Sequence, residues 1–199
     1  MTVGVWKVEE GHECLRSMFQ DFSIYEEGYA RFTSDKRKVE WLAVRALLKE
    51  LCGEEKSVSY YPSGKPYLTD GSARISFSHT QGYVAVAVHP CKEVAVDIEQ
   101  YGTRVKRVAH KFIRGDEQIP AEPLQEIQAL LLHWSAKETL YKLLDKEGVD
   151  FIRHLQVFPF ELVEEGEFVA CEHLTEQNEC FPVHYHTHPH YVLTYASRP

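Results

Sequence analysis

The chain has 199 residues, 44% of them hydrophobic and 26% charged, with a formal net charge of −8. That is the composition of a globular protein with one large domain or two small ones, and the acidic balance argues against nucleic-acid binding by bulk charge. No apolar run approaches the ~20 residues of a membrane span. The stretch from Met1 to Lys7 has neither the basic leader nor the apolar core of a signal peptide, so a cytoplasmic protein with no membrane partner is expected. Five cysteines (Cys14, Cys52, Cys91, Cys171 and Cys180) are scattered, odd in number and lack a C-x-x-C pair. They predict neither a disulfide framework nor a zinc ribbon, as in a reducing compartment.

In chain order, Val3 to Val8 predicts a strand, and His12 to Phe22 has helical apolar spacing at Leu15, Met18, Phe19 and Phe22. Asp35 to Cys52 predicts the first strong helix, with Ser34 as N-cap, Gly53 past its end and an apolar stripe through Trp41, Val44, Leu48 and Leu51. Tyr60 to Leu68 is turn chemistry between short extended pieces. Arg74 to Phe77, Tyr83 to Val88 and Val94 to Glu99 read as strands. The turn His89-Pro90-Cys91-Lys92 predicts that the last two form an antiparallel hairpin. Thr103 to Arg114 reads as a helix with an apolar stripe and a basic one, Arg104, Arg107, Lys111 and Arg114. Leu124 to Leu144 is the longest helical pattern, followed by strands over Leu155 to Val163, Glu167 to Cys171 and Tyr191 to Ala196.

Two segments carry candidate chemistry. In the strand Val94 to Glu99, Asp97 and Glu99 share one face, ~7 Å apart along the strand. They fit either a solvated strand end or part of a small-cation site. Mg²⁺ prefers oxygen ligands, and Glu138 from the long helix would be a third carboxylate. On that helix Trp134, Glu138 and Lys142 stack at four-residue spacing, which fits either a core tryptophan beside an exposed ion pair or an acid and a cation serving one site. His184, His186, His188 and His190 alternate, but Pro189 interrupts them; the pattern reads as structural, or as an adventitious metal binder.

A weak internal repeat aligns Trp41 to Leu51 with Trp134 to Leu144, and His79 to Ala85 with His186 to Leu193. Two matches in the same order predict two similar α/β halves about a pseudo-two-fold axis, each a small antiparallel sheet with a long helix. The halves would be residues 1–100 and 101–199, with the active site at their interface.

Gly64-Lys65-Pro66, Phe77-Ser78-His79-Thr80, Val96-Asp97-Ile98-Glu99, Phe112 with Glu117, and Trp134-Ser135-Ala136-Lys137-Glu138-Thr139-Leu140-Tyr141-Lys142 occur in that order. Together they resemble the 4′-phosphopantetheinyl transferase superfamily, in its pseudo-dimeric surfactin-type branch, from about Arg31 to Ala196. The resemblance implies transfer of 4′-phosphopantetheine from coenzyme A to a serine of an apo acyl or peptidyl carrier protein, with release of adenosine 3′,5′-bisphosphate. It implies Mg²⁺ on Asp97, Glu99 and Glu138, with Lys142 against the pyrophosphate. It assigns Ser78 and His79 to the neighbourhood of the 3′-phosphate, and Arg45 and Lys65, with Lys36 and Arg37 as lesser candidates, to the nucleotide. Glu117 falls where a general base for the serine is discussed. The basic stripe would then dock an acidic carrier; as a plain helix it is a solvated face. Ala95 stands where the pattern usually has glycine. Fusion of the halves predicts a monomer, and the alternative is a non-catalytic coenzyme A- or carrier-binding relative of the same fold.

Overall fold

The computed structural model describes residues 1–198. β1 (Thr2–Lys7) leads into α1 (His12–Ser17) and α2 (Ser23–Ala30), two short helices where the spacing predicts one. The chain breaks between them because Phe19 and Phe22 both turn onto Tyr25, at ring-centroid distances of 4.8 and 6.1 Å. α3 (Asp35–Cys52) fills its predicted span, and Gly53 ends it in the left-handed conformation at φ 75°, where a Cβ would be strained. β2 (Val58–Tyr60) and β3 (Pro66–Leu68) make a small ribbon. Then come β4 (Arg74–Thr80), β5 (Tyr83–His89), β6 (Glu93–Gln100), α4 (Arg104–Val108), a 3₁₀ turn at Ala109–Lys111 and α5 (Pro123–Leu144). β7 (Leu155–Val157), β8 (Glu165–Glu172), β9 (Cys180–Thr187) and β10 (Tyr191–Arg198) complete the chain. β9 has no counterpart among the predicted strands.

All strand pairs are antiparallel, in one sheet of order β1-β5-β4 and another of order β6-β10-β9-β8-β7, besides the ribbon. The fold is therefore mixed α/β with antiparallel sheets, three-stranded on one side and five-stranded on the other. The expected β5–β6 hairpin does not form. β5 already has β1 on one edge and β4 on the other, so no ladder is left for β6. β6 pairs instead along its whole length with β10, from Glu93 opposite Arg198 to Gln100 opposite Tyr191.

The two sheets meet where β4 and β6 run side by side without a backbone ladder. The N–H groups of Val96, Ile98 and Gln100 donate to the hydroxyls of Ser76 (3.1 Å), Ser78 (3.2 Å) and Thr80 (3.2 Å). Alternate residues of a strand share a face, so the three hydroxyls stand in a row and replace the carbonyls of a missing partner. α3 covers the three-stranded sheet through Leu42, Leu48, Val84 and Val86. α5 covers the five-stranded sheet through Leu132, Leu140, Val192 and Ala196. Ala85, Ala87, Val94, Val96, Ile98 and Leu193 form a third cluster that joins the sheets.

The reading of the cysteines is corrected for one pair. Cys171 and Cys180 lie directly opposite each other on β8 and β9, 4.0 Å apart at Cα, and form a disulfide, while Cys14, Cys52 and Cys91 are free. Strand register made the pair adjacent, and spacing alone carried no sign of it. Among the described residues no helix is long and apolar enough to cross a membrane.

Candidate active site

α5 is fixed over the β6–β10 pair by a buried polar clamp. Ser135 Oγ and Thr139 Oγ1 lie 2.9 and 2.7 Å from Thr194 Oγ1, and Thr194 is the cross-strand partner of Asp97. One turn of helix therefore sits above the strand pair at the level of Asp97, and the face carrying Trp134, Glu138 and Lys142 falls over β6. Trp134 Nε1 donates to Glu99 Oε1 at 2.7 Å. Lys142 Nζ donates to Asp97 Oδ1 at 2.7 Å and to the carbonyl of Val96 at 3.0 Å.

The three carboxylates feel one another. Burial, then the charges of Asp97 and Glu138, push the Glu99 carboxyl up to about 7, against the pull of the Trp134 hydrogen bond and Lys142. Burial and then Asp97 raise Glu138 as well, with Lys142 opposing. Asp97 is 4% exposed, and its Oδ2 is buried without any hydrogen-bond partner. Among the described residues no group of three or more His, Cys, Asp or Glu side chains is placed to hold a metal ion; Lys142 bonds one oxygen of Asp97 and the Trp134 indole one of Glu99. The donor set nonetheless fits a hard divalent cation: three carboxylates, one orphaned oxygen and a mutual repulsion that a cation would relieve.

From Lys142 a cleft runs between α3 and α5 as two adjoining hollows of about 400 and 280 Å³, which share Gly64, Pro66 and Phe77 as wall. Lys65 and Lys142 line the first. Lys65 Nζ is held by Glu93 at 2.6 Å. Arg37, Arg45 and His79 line the second, with Glu40. Arg45 is only 3% exposed; its guanidinium stacks 3.5 Å over the Trp41 ring and donates to Trp41 O and to the Tyr60 hydroxyl. Trp41 comes this close because Gly28 lies against it, where a Cβ would sit 2.6 Å from Cζ2. Desolvation and the cations Arg37, Lys142 and Lys36 lower the His79 pKa, with Glu40 opposing. Lys36 and Arg37 both reach Glu40, at 3.9 and 2.9 Å. The hollow is thus a cationic wall built from α3 and the end of β4.

A separate groove of about 470 Å³ lies between α4 and α5, with Glu99 and Trp134 in its wall and Arg104 and Lys111 also lining it. Arg107 is exposed beside it. Arg114 does not join this basic face. The predicted helix stops at Val108 and the 3₁₀ turn ends at Lys111, because Phe112 is drawn fully into the core against Trp134. Arg114 then binds Asp116 and the carbonyls of Ile152 and Arg153.

Glu117 is not brought to the acid cluster either. Its carboxylate is closed in, with Lys137 Nζ 2.8 Å from Oε1 and both side chains 0% exposed. It also accepts from the N–H groups of Arg114 and Val157, each at 2.8 Å. Among the described residues the histidines form no metal-ligating group: His184 stacks on Tyr195 and faces Glu167, while the His188 ring stacks on Tyr191 and lies 6.4 and 5.4 Å from those of His186 and His190.

Sequence reasoning missed two contacts. Ser78, assigned to the nucleotide, is buried and reaches Asp97 Oδ1 at 3.0 Å. Trp134 is a donor to Glu99 as well as a core side chain. The alternation of hydroxyls at Ser76, Ser78 and Thr80 was the available sign of the first.

Residues 93–196, just over half the chain and starting at β6, match the family model described as ACPS, 4′-phosphopantetheinyl transferase superfamily. No curated protein matches the chain.

Proposed function

We propose that this chain, which belongs to the 4′-phosphopantetheinyl transferase superfamily, moves 4′-phosphopantetheine from coenzyme A to a serine of an apo acyl or peptidyl carrier protein. Adenosine 3′,5′-bisphosphate is the other product. The observation that carries this reading is a cleft in which Lys142, bonded to Asp97 of the acid cluster, lines one hollow and Arg37, Arg45 and His79 line the adjoining one. A substrate with a pyrophosphate to be cleaved and a second phosphate to be anchored has that charge pattern in negative.

Asp97, Glu99 and Glu138 are the residues that would hold Mg²⁺, which supplies Lewis-acid neutralisation of the pyrophosphate and of the departing bisphosphate. Lys142 adds a mobile positive charge to the pyrophosphate side. His79 and Arg37 bind the 3′-phosphate. Arg45, with two of its nitrogens spent on Trp41 and Tyr60, contributes mainly its field, and Lys65 flanks the nucleotide beside Gly64. The carrier serine enters through the α4–α5 groove; its oxygen bonds the phosphorus as the phosphorus–oxygen bond to the bisphosphate breaks, and its hydroxyl proton passes to solvent water. Arg104, Arg107 and Lys111 attract an acidic carrier to that groove.

Glu117 has a supporting task in this account. Its oxygens are committed to Lys137 and two backbone donors, so it anchors the junction of α5 with the loop after α4 and leaves the groove to other groups. Two sheets, each with a long helix, in one chain support the surfactin-type branch acting as a monomer, with halves dividing near residue 100. The test is conversion of an apo carrier to its holo form: the wild type converts it with coenzyme A and Mg²⁺, and Asp97→Ala does not.

A further inference from the structure

Asp97 and Glu99 each have one oxygen bonded by a neutral donor from another element; on Asp97 that oxygen, Oδ1, is shared with Lys142 Nζ at 2.7 Å. Ser78 Oγ, on β4, already accepts the N–H of Ile98 at 3.2 Å, so its own proton is directed to Asp97 Oδ1 at 3.0 Å. Trp134 Nε1, on α5, donates to Glu99 Oε1 at 2.7 Å. On Asp97 the other oxygen, Oδ2, is buried and has no partner; on Glu99 the indole leaves Oε2 as the second oxygen. Ser78 is 8% exposed and lines neither hollow of the cleft, whose walls take Phe77 and His79 from the same strand. It is therefore turned toward the carboxylate and away from the nucleotide.

We propose that Ser78 and Trp134 are positioning residues that lock Asp97 and Glu99 so that Oδ2 and Oε2 face a divalent cation. The inference rests on the transferase reading, in which that cation is Mg²⁺. Neutral donors suit the task. They fix the carboxylate torsions in advance, so less side-chain freedom is lost when the cation arrives, and, unlike the Lys142 ammonium that shares Asp97 Oδ1, they bring no positive charge to compete with it. Outer-shell partners of this kind typically account for 10–100-fold in metal affinity. The arrangement also gives the hydroxyl row of β4 a second use: the contact that joins the two sheets is the contact that orients the ligand.

The experiment titrates Mn²⁺, as a spectroscopic probe, into the full chain and into Ser78→Ala, Ser78→Thr and Trp134→Phe, with folding checked by circular dichroism. Adenosine 3′,5′-bisphosphate binding is measured separately without metal. We expect Ser78→Ala and Trp134→Phe each to weaken Mn²⁺ by about 10-fold or more. Ser78→Thr, which keeps the hydroxyl, restores it, and bisphosphate affinity stays within about twofold. Trp134→Phe keeps a ring against Phe112 and Phe151, so it serves if Ser78→Ala does not fold. Unchanged Mn²⁺ affinity in the folded variants overturns the inference alone. Weakened bisphosphate binding with unchanged Mn²⁺ binding overturns it too, by returning Ser78 to the nucleotide wall. A wild type that neither binds Mn²⁺ nor modifies a carrier overturns the transferase reading with it.

Discussion

Glu117 and Lys137 form an ion pair whose side chains are 0% exposed, with Lys137 Nζ also donating to the carbonyls of Phe112 (2.5 Å) and Phe151 (3.1 Å). Burial lowers the Lys137 pKa and the Glu117 carboxylate holds it up. Removing one member leaves the other charged and enclosed, a loss of about 3–5 kcal/mol in comparable buried pairs. Glu117→Ala is therefore expected to lower the urea midpoint sharply, and the double variant Glu117→Leu, Lys137→Met to recover much of it. A general base would behave differently: Glu117→Ala would lose turnover with little change in the midpoint.

Glu99 ties stability to pH in the metal-free chain. Its carboxyl is raised from the usual 4.5 to about 7. The folded chain thus binds this proton more tightly than the unfolded chain does. The cost of ionising it in the fold accumulates as pH rises from about 4.5 through about 7. Glu99→Gln removes that cost and should stabilise the chain at pH 8 by on the order of 2 kcal/mol, or about 5 °C. The gain should fade toward pH 5. A variant less stable than wild type at pH 8 without metal would contradict the electrostatic picture of the cluster.

Divalent cation should reverse that ranking. Mg²⁺ stabilises whatever binds it in the folded state only, so millimolar Mg²⁺ is expected to raise the wild-type melting temperature at pH 8 and to leave Asp97→Asn and Glu138→Gln nearly unmoved. The same two variants should transfer phosphopantetheine at least ~10²-fold more slowly, since Lewis-acid stabilisation is worth several kcal/mol. Equal shifts in all three proteins would detach the carboxylates from the cation.

The basic face of α4 is smaller than its sequence suggests, and the prediction narrows accordingly. Charge reversal at Arg107 or Lys111 should raise the Michaelis constant for the carrier roughly fivefold at low salt, less at high salt, with that for coenzyme A nearly unchanged. Arg114→Glu breaks an internal contact with Asp116 and two carbonyls, so its effect should fall on stability. A carrier constant indifferent to Arg107 and Lys111 would remove α4 from docking.

What could be read from the chain was local. α3 was visible from end to end because its apolar spacing, Ser34 and Gly53 all lie within the helix or next to it, and α5 was visible within one residue from the length of its helical pattern. Asp97, Glu99 and Lys142 were legible as a group through motif order, and the structure brings Lys142 onto Asp97. Partner choice was not local. β6 belongs with β10, almost a hundred residues on, and only the two filled edges of β5 explain why. β9 was hidden by Pro182 and by histidines whose alternation carries little hydrophobic contrast. The Cys171–Cys180 bond followed from that unseen strand. Glu117 shows the remaining gap: a motif supplies a residue and a spacing, whereas burial by Lys137 and Val157 depends on how α5 and β7 close over it.

The central claim is tested most directly by incubating the chain with coenzyme A, Mg²⁺ and apo acyl or peptidyl carrier proteins and weighing the carriers intact. The account predicts a mass gain of one phosphopantetheine on a single serine, dependent on Mg²⁺ and lost in Asp97→Ala. No gain on any carrier of either class, from a folded wild-type chain, would contradict it.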